Sequence, residues 1–179
     1  MRDAVFGIIV CLAGAPAAFA QSSDPPEKPA LMRFASGNGN VAFLAVGVAL
    51  PYLRDDKERS VHILDALATG LVTSQLLKMT FRERRPDGSS HDSFPSGHAT
   101  AAFAIAAMQP ARERPYWYAG ATLIGISRVV LDRHYVHDVV AGAALGIYAA
   151  QEAKRHPNGL ILRPILSQHG TGLLITQAL

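Results

Sequence analysis

Apolar residues run in five stretches, near 41–53, 61–79, 98–109, 115–131 and 137–153. Each is separated from the next by proline or by a charge cluster, such as Arg54-Asp55-Asp56-Lys57-Glu58-Arg59 or Arg112-Glu113-Arg114-Pro115. Runs of this length without strict alternation predict helices, and five of them predict an all-α bundle over residues 41–156. Residues 21–40 are different, with Ser22-Ser23-Asp24-Pro25-Pro26 and Ser36-Gly37-Asn38-Gly39-Asn40 leaving little apolar surface to pack. That composition reads as a flexible leader, a strand or loop ahead of the bundle. In the tail, 157–179, Leu160–Leu166 and Leu173–Ile175 flank Gly170-Thr171-Gly172, which predicts two short strands around a glycine turn, a β-hairpin.

The first 20 residues predict a secretory signal peptide: Arg2 precedes the apolar run Ala4–Gly14, and Ala18-Phe19-Ala20 supplies small residues at a cleavage point before Gln21. The single cysteine, Cys11, lies inside that segment, so the mature chain is expected to use neither disulfides nor thiol chemistry. A length of 179 residues, 49% of them hydrophobic, supports one domain with one core. The formal charge of +3 is modest, and the basic residues gather beside particular motifs, which favours a small anionic ligand and excludes nucleic acid as the natural partner.

Most of the apolar stretches fall short of the roughly 20 residues a bilayer requires. His62 and Asp65 interrupt the second one, and the mean hydropathy is only +0.16. These features favour a periplasmic protein after export. The alternative is an integral inner-membrane protein whose site faces the periplasm. The basic clusters at 54–59, 112–114 and 154–155 fall at the bundle end opposite the motifs described next, as a positive-inside arrangement requires.

Three segments at helix ends carry chemistry: Lys78 with Arg85-Pro86, then Pro95-Ser96-Gly97-His98, then Ser127-Arg128 followed by His134 and Asp138. Lys78 closes one helix and Arg85 follows across a short turn, so an ammonium and a planar guanidinium can meet on one anion, with Arg128 as a third cation. Ser96 suits a helix cap, Gly97 allows close backbone approach, and the unpaired amides there attract anions. A histidine in that first turn, His98, suits a general acid, its cationic form favoured by a neighbouring anion. His134 and Asp138 are four apart, so the carboxylate can hold one ring nitrogen and leave the other free to attack. His137 reads as a bystander. Taken singly, each segment has a plain structural reading, as a solvated basic turn, an ordinary capped helix or a surface ion pair. Together they supply the cations, directed amides and in-line nucleophile that phosphoryl transfer needs without a metal.

On these residues the chain resembles the phosphatidic acid phosphatase type 2 and vanadium haloperoxidase superfamily, which includes bacterial acid phosphatases. The signature is a Lys and an Arg-Pro with six residues between, then Pro-Ser-Gly-His, then Ser-Arg, five residues, His, three residues and Asp, all present in order from Lys78 to Asp138. The resemblance implies an α-helical bundle with neither metal nor cofactor. It implies that Lys78, Arg85, Ser96, Gly97 and Arg128 bind phosphate, that His98 is the acid, and that His134 oriented by Asp138 is the nucleophile. It leads to an expected phosphatase acting on a phosphorylated small molecule or lipid through a phosphohistidine. Rival readings are a vanadate-dependent haloperoxidase using the same pocket, a metal-dependent phosphohydrolase using His91-Asp92 and His137-Asp138, and a non-catalytic envelope protein.

Overall fold

A computed structural model of the chain describes residues 27–156 and the backbone of 162–167 and 170–175. The expected signal segment and the first part of the expected leader lie outside the described residues. Six helices follow one another: α1 (Ala30–Ser36), α2 (Asn38–Leu53), α3 (Lys57–Phe81), α4 (Gly97–Met108), α5 (Arg114–Val130) and α6 (Val136–Arg155). Each of the five apolar stretches forms a helix. Asp56 caps α3 by accepting from the Arg59 amide at 3.1 Å, Ser96 caps α4, and Pro115 sits in the first turn of α5, where its missing N–H costs nothing.

The expected leader is where sequence and structure part. Residues 30–36 and 38–40 are helical around a turn at Gly37, with Ser36 and Asn40 almost fully buried, because the short first helix packs on α5 with Ala35 and Ser36 inward. A seven-residue helix is too short to show a periodic apolar pattern, so its stability comes from that packing. In the tail, β1 (Leu162–Ser167) and β2 (Gly170–Ile175) pair antiparallel, with Leu162 opposite Ile175. Gly170 and Gly172 are residues of the second strand and not of the turn.

α4 is the axle of the bundle, packing against α2, α3, α5 and α6. Nine of its twelve residues are buried, as expected of a helix that is apolar all round. Its alanines let neighbours come close, and two glycines on α6 let one neighbour come closer still. A Cβ on Gly142 would stand 2.5 Å from the Ser96 carbonyl oxygen, and one on Gly146 would stand 2.2 Å from that of Thr100. The two backbones are therefore in direct contact along one seam, which sets the first turn of α4 beside the first turn of α6.

Candidate active site

The signature residues come from three helix ends, and the structure gathers them. Lys78 lies in the last turn of α3, after which Arg82 adopts a left-handed conformation (φ 48°) and turns the chain into a loop over 82–96. That loop folds on itself through Arg85 N–H to Ser90 O (3.0 Å) and Ser93 N–H to Glu83 O (2.9 Å). It is fastened to the turn after α5 by Asp87 N–H to Asp132 O (3.1 Å) and by the ion pair of Arg133 with Asp87 (3.0 Å). In that turn the Arg128 carbonyl accepts from the amides of Arg133 (2.9 Å) and His134 (3.2 Å), so the backbone of one site cation holds the proposed nucleophile in place. The Ser96 amide donates to the Asp138 carbonyl at 3.0 Å, joining the starts of α4 and α6.

Around this frame the charged groups converge. Arg128, His134, Arg85 and Lys78 all act electrostatically on His98. Arg85 meets Asp92 side-on, Nε to Oδ1 and Nη2 to Oδ2 both at 3.0 Å, while Lys78 Nζ donates to the Asp92 carbonyl oxygen and Ser90 Oγ to its carboxylate. Burial alone would raise the Asp92 carboxyl, but Ser90, Arg85 and Lys78 outweigh it and hold it below the usual carboxylate range. Arg128 is 6% exposed, and its Nη1 donates to Ser36 Oγ from α1. Ser96 is fully buried as the α4 cap, its Oγ accepting from the Ala99 amide at 3.4 Å. Gly97 opens the helix, and the place of a Cβ on it lies 3.9 Å from Ser74 Oγ, a buried hydroxyl one turn ahead of Lys78.

His134 is 2% exposed and Asp138 is fully buried. The imidazole Nδ1 lies 3.5 Å from Asp138 Oδ2, and that oxygen accepts from the Tyr135 amide at 2.8 Å and from Ser93 Oγ at 2.5 Å. His137, read as a bystander from the sequence, is in fact at the site's edge. Its Nε2 reaches Glu83 Oε1 at 2.9 Å and Asp138 Oδ1 at 3.1 Å, and its ring stacks on Tyr135. Sequence reasoning thus missed Ser36, Glu83 and Ser93, and considered Asp92 only as a metal ligand in a rival reading; none of the four belongs to the signature. The only sequence signal for Asp92 and Ser93 is their position just ahead of Phe94-Pro95-Ser96.

The cationic form expected of His98 depends on the charge of a bound anion, because its protein surroundings act the other way. Burial, then the charges of Arg128, His134, Arg85 and Lys78, push its imidazole well below the ordinary value of 6.5. Burial also lowers His134, and the three cations add to that against the opposing pull of Asp138. Both rings therefore take up a proton less readily than a histidine of the unfolded chain. The unfolded state then binds more protons, so stability is full above about pH 6.5 and declines below it. The ligand-free protein is expected to lose a few degrees of melting temperature between about pH 7.5 and about pH 5. Inorganic phosphate, by offsetting the cations, is expected to raise the melting temperature more at the lower pH. Thermal scans across pH with and without phosphate check both; a phosphate increment independent of pH would contradict the assignment.

A profile of the PAP2 superfamily matches residues 59–158, which span all of these helix ends. The chain belongs to the PAP2 superfamily. It is 38% identical over 120 residues to the lipid A 1-phosphatase of Porphyromonas gingivalis, covering 59% of this chain and 26% of that protein. It is 32% identical over 151 residues to the probable lipid phosphate phosphatase beta of Arabidopsis thaliana, covering 60% of this chain and 71% of that one. The chain thus spans about a quarter of the Porphyromonas relative's length and most of the plant protein's. The crystal structure of Aquifex aeolicus LpxE superposes with a TM-score of 0.57 at 25% identity, covering 74% of this chain and 90% of that one. The PAP2 helical architecture is the all-α bundle expected from the apolar runs.

Proposed function

We propose that this PAP2 protein is a metal-independent phosphatase that hydrolyses the phosphate monoester of a membrane lipid through a phosphohistidine on His134. The observation that carries the reading is the convergence of Lys78, Arg85 and Arg128 on a buried His134–Asp138 pair with His98 alongside. Three cations and the amide of Gly97 offset the charge on the equatorial oxygens. Since Nδ1 faces Asp138, Nε2 attacks: its lone pair forms the N–P bond, the ester O–P bond breaks, and the departing oxygen takes a proton from His98. His98, whose imidazole is lowered by burial and by the nearby cations, acquires that proton together with the phosphate, whose negative charge offsets those cations. Water then attacks phosphorus, giving its proton to His98 as the P–N bond opens and His134 is released.

A lipid substrate is supported by the lipid phosphatase activity for which both relatives are named and by the outer surface. Leu71, Val72, Leu76, Met79 and Phe81 on α3 are all exposed, as are Val136 and Val140 on α6. α3 has the length and apolar character to cross a bilayer, as does the pair α1 and α2 taken as one span bent by 41°. Asp65, which weighed against a membrane helix in the sequence, is fully buried and leaves the outer face of α3 apolar. The reading therefore moves from a soluble periplasmic protein to one seated in the membrane, with the basic cluster of Arg59, Arg114 and Lys154 around a 420 Å³ cavity at the far end.

A divalent metal fits poorly. Asp92 is committed to Arg85 and Ser90. Ligand atoms of Glu83, His137 and Asp138 lie within 4.8 Å of one another, but His137 Nε2 is engaged with Glu83 at 2.9 Å and the site cations oppose a further positive charge. Detergent-solubilised protein is expected to release phosphate from a phosphatidate-type lipid in excess EDTA and to be inhibited by vanadate. Activity lost to the chelator and restored by zinc or magnesium would replace this reading with the metal-dependent one. Bromide oxidation by peroxide in added vanadate, at rates matching hydrolysis, would replace it with the haloperoxidase.

A further inference from the structure

We propose that Ser93, outside the superfamily signature, is a positioning residue for the nucleophile, fixing both the carboxylate of Asp138 and the tautomer of His134. The proposal rests on the reading of His134 as the attacking group. Ser93 is fully buried in the loop between α3 and α4. Its Oγ lies 2.5 Å from Asp138 Oδ2 and 3.5 Å from His134 Nδ1, while Oδ2 is itself 3.5 Å from Nδ1. The imidazole nitrogen therefore looks onto two oxygens at equal distance, and neither contact alone is short enough to be a strong hydrogen bond.

Hydrogen counting settles the direction of each contact. An ionised carboxylate only accepts, so the Ser93 hydrogen points at Oδ2 and the hydroxyl shows His134 nothing but lone pairs. Both oxygens facing Nδ1 are then acceptors, which places the ring hydrogen on Nδ1 and leaves Nε2 bare for attack on phosphorus. Ser93 is also well anchored, its amide donating to Glu83 O at 2.9 Å, and Asp138 Oδ2 is fixed from the other side by the Tyr135 amide at 2.8 Å. When the ring gains positive charge on bonding phosphorus, a carboxylate already ionised and oriented answers that charge without reorganising. The preceding residue, Asp92, holds Arg85 and Lys78, so one short segment fastens both the cations and the nucleophile's support.

The test compares Ser93→Ala, Ser93→Cys and His134→Ala in detergent, measuring hydrolysis of a soluble aryl phosphate across pH and inhibition by inorganic phosphate. Ser93→Ala is expected to lower kcat about 10- to 100-fold while the phosphate inhibition constant stays within about twofold. Its acid limb is expected to move to higher pH, because Asp138 without its donor protonates more readily. Ser93→Cys, which keeps a weak donor, is expected to fall between Ser93→Ala and the parent, and supplies the same measurements should Ser93→Ala fail to fold. Three results overturn the proposal: kcat within about twofold of the parent, an unmoved acid limb, or parallel losses of kcat and phosphate affinity, which mark a purely structural residue. If His134→Ala retains activity, the reading beneath the proposal fails, whatever Ser93 does.

Discussion

Replacing His134 by alanine is expected to abolish phosphate release, with a loss of about 10⁴-fold or more in kcat, the scale found when an enzyme loses a covalent nucleophile. The protein is expected to fold, because the contacts fixing this turn do not use the imidazole: the His134 amide donates to the Arg128 carbonyl, and the Tyr135 amide to the Asp138 carboxylate. The cations remain, so vanadate should still raise the melting temperature of the variant. Parent protein quenched during turnover of radiolabelled substrate is expected to carry acid-labile, base-stable label, as a phosphoramidate does, and His134→Ala none. Label retained by the variant, or hydrolysis near the parental rate, would remove His134 from the mechanism.

The second large effect is expected at Arg128. The residue is 6% exposed and is the cation contributed from α5, so Arg128→Ala should lower kcat/KM by about 10³-fold, the effect of removing a fixed donor from developing phosphoryl charge. Arg128→Lys keeps a charge but loses the planar fork, and is expected to recover only part of the difference. Ser36, which accepts from Arg128 Nη1, provides a graded control. Ser36→Ala leaves the cation in place but unsteadied, and its loss should be about tenfold, well below that of Arg128→Ala. Steady-state kinetics with each variant separate the cases. An Arg128→Ala enzyme within about tenfold of the parent would show that Lys78 and Arg85 suffice to hold the phosphoryl group.

Much of this architecture is legible in the sequence, for an identifiable reason. The five long helices bury continuous apolar surface, and each ends at a charge cluster or proline, so period and punctuation agree. Lys78, Arg85, His98, Arg128, His134 and Asp138 stood out because their residue types and order match one chemistry. What escaped were groups that act through contacts between distant segments. Ser36 sits in a serine, glycine and asparagine stretch typical of loops, and nothing local reveals that it meets Arg128 on α5. Ser93 and Asp92 resemble ordinary loop residues until the loop closes on α6. The downward pull on His98 is hidden in the sequence because it comes from its burial and from Arg128, Arg85 and Lys78, which only the fold brings near it. The exposed face of α3 was hidden by Asp65, whose inward direction only packing discloses.

Gly142 and Gly146 give the site a fixed gauge. They bring α6 onto the backbone of α4, one helix opening at His98 and the other beginning just beyond His134. The spacing of the helix ends that carry the proposed proton donor and the proposed attacking ring is thus set by main chain against main chain, where there are no rotamers to drift. Side chains on the outer surface, such as Phe81 and Val140, can change with the lipid they meet and leave that spacing untouched. A site ruled in this way tolerates a variable rim around an invariant stroke.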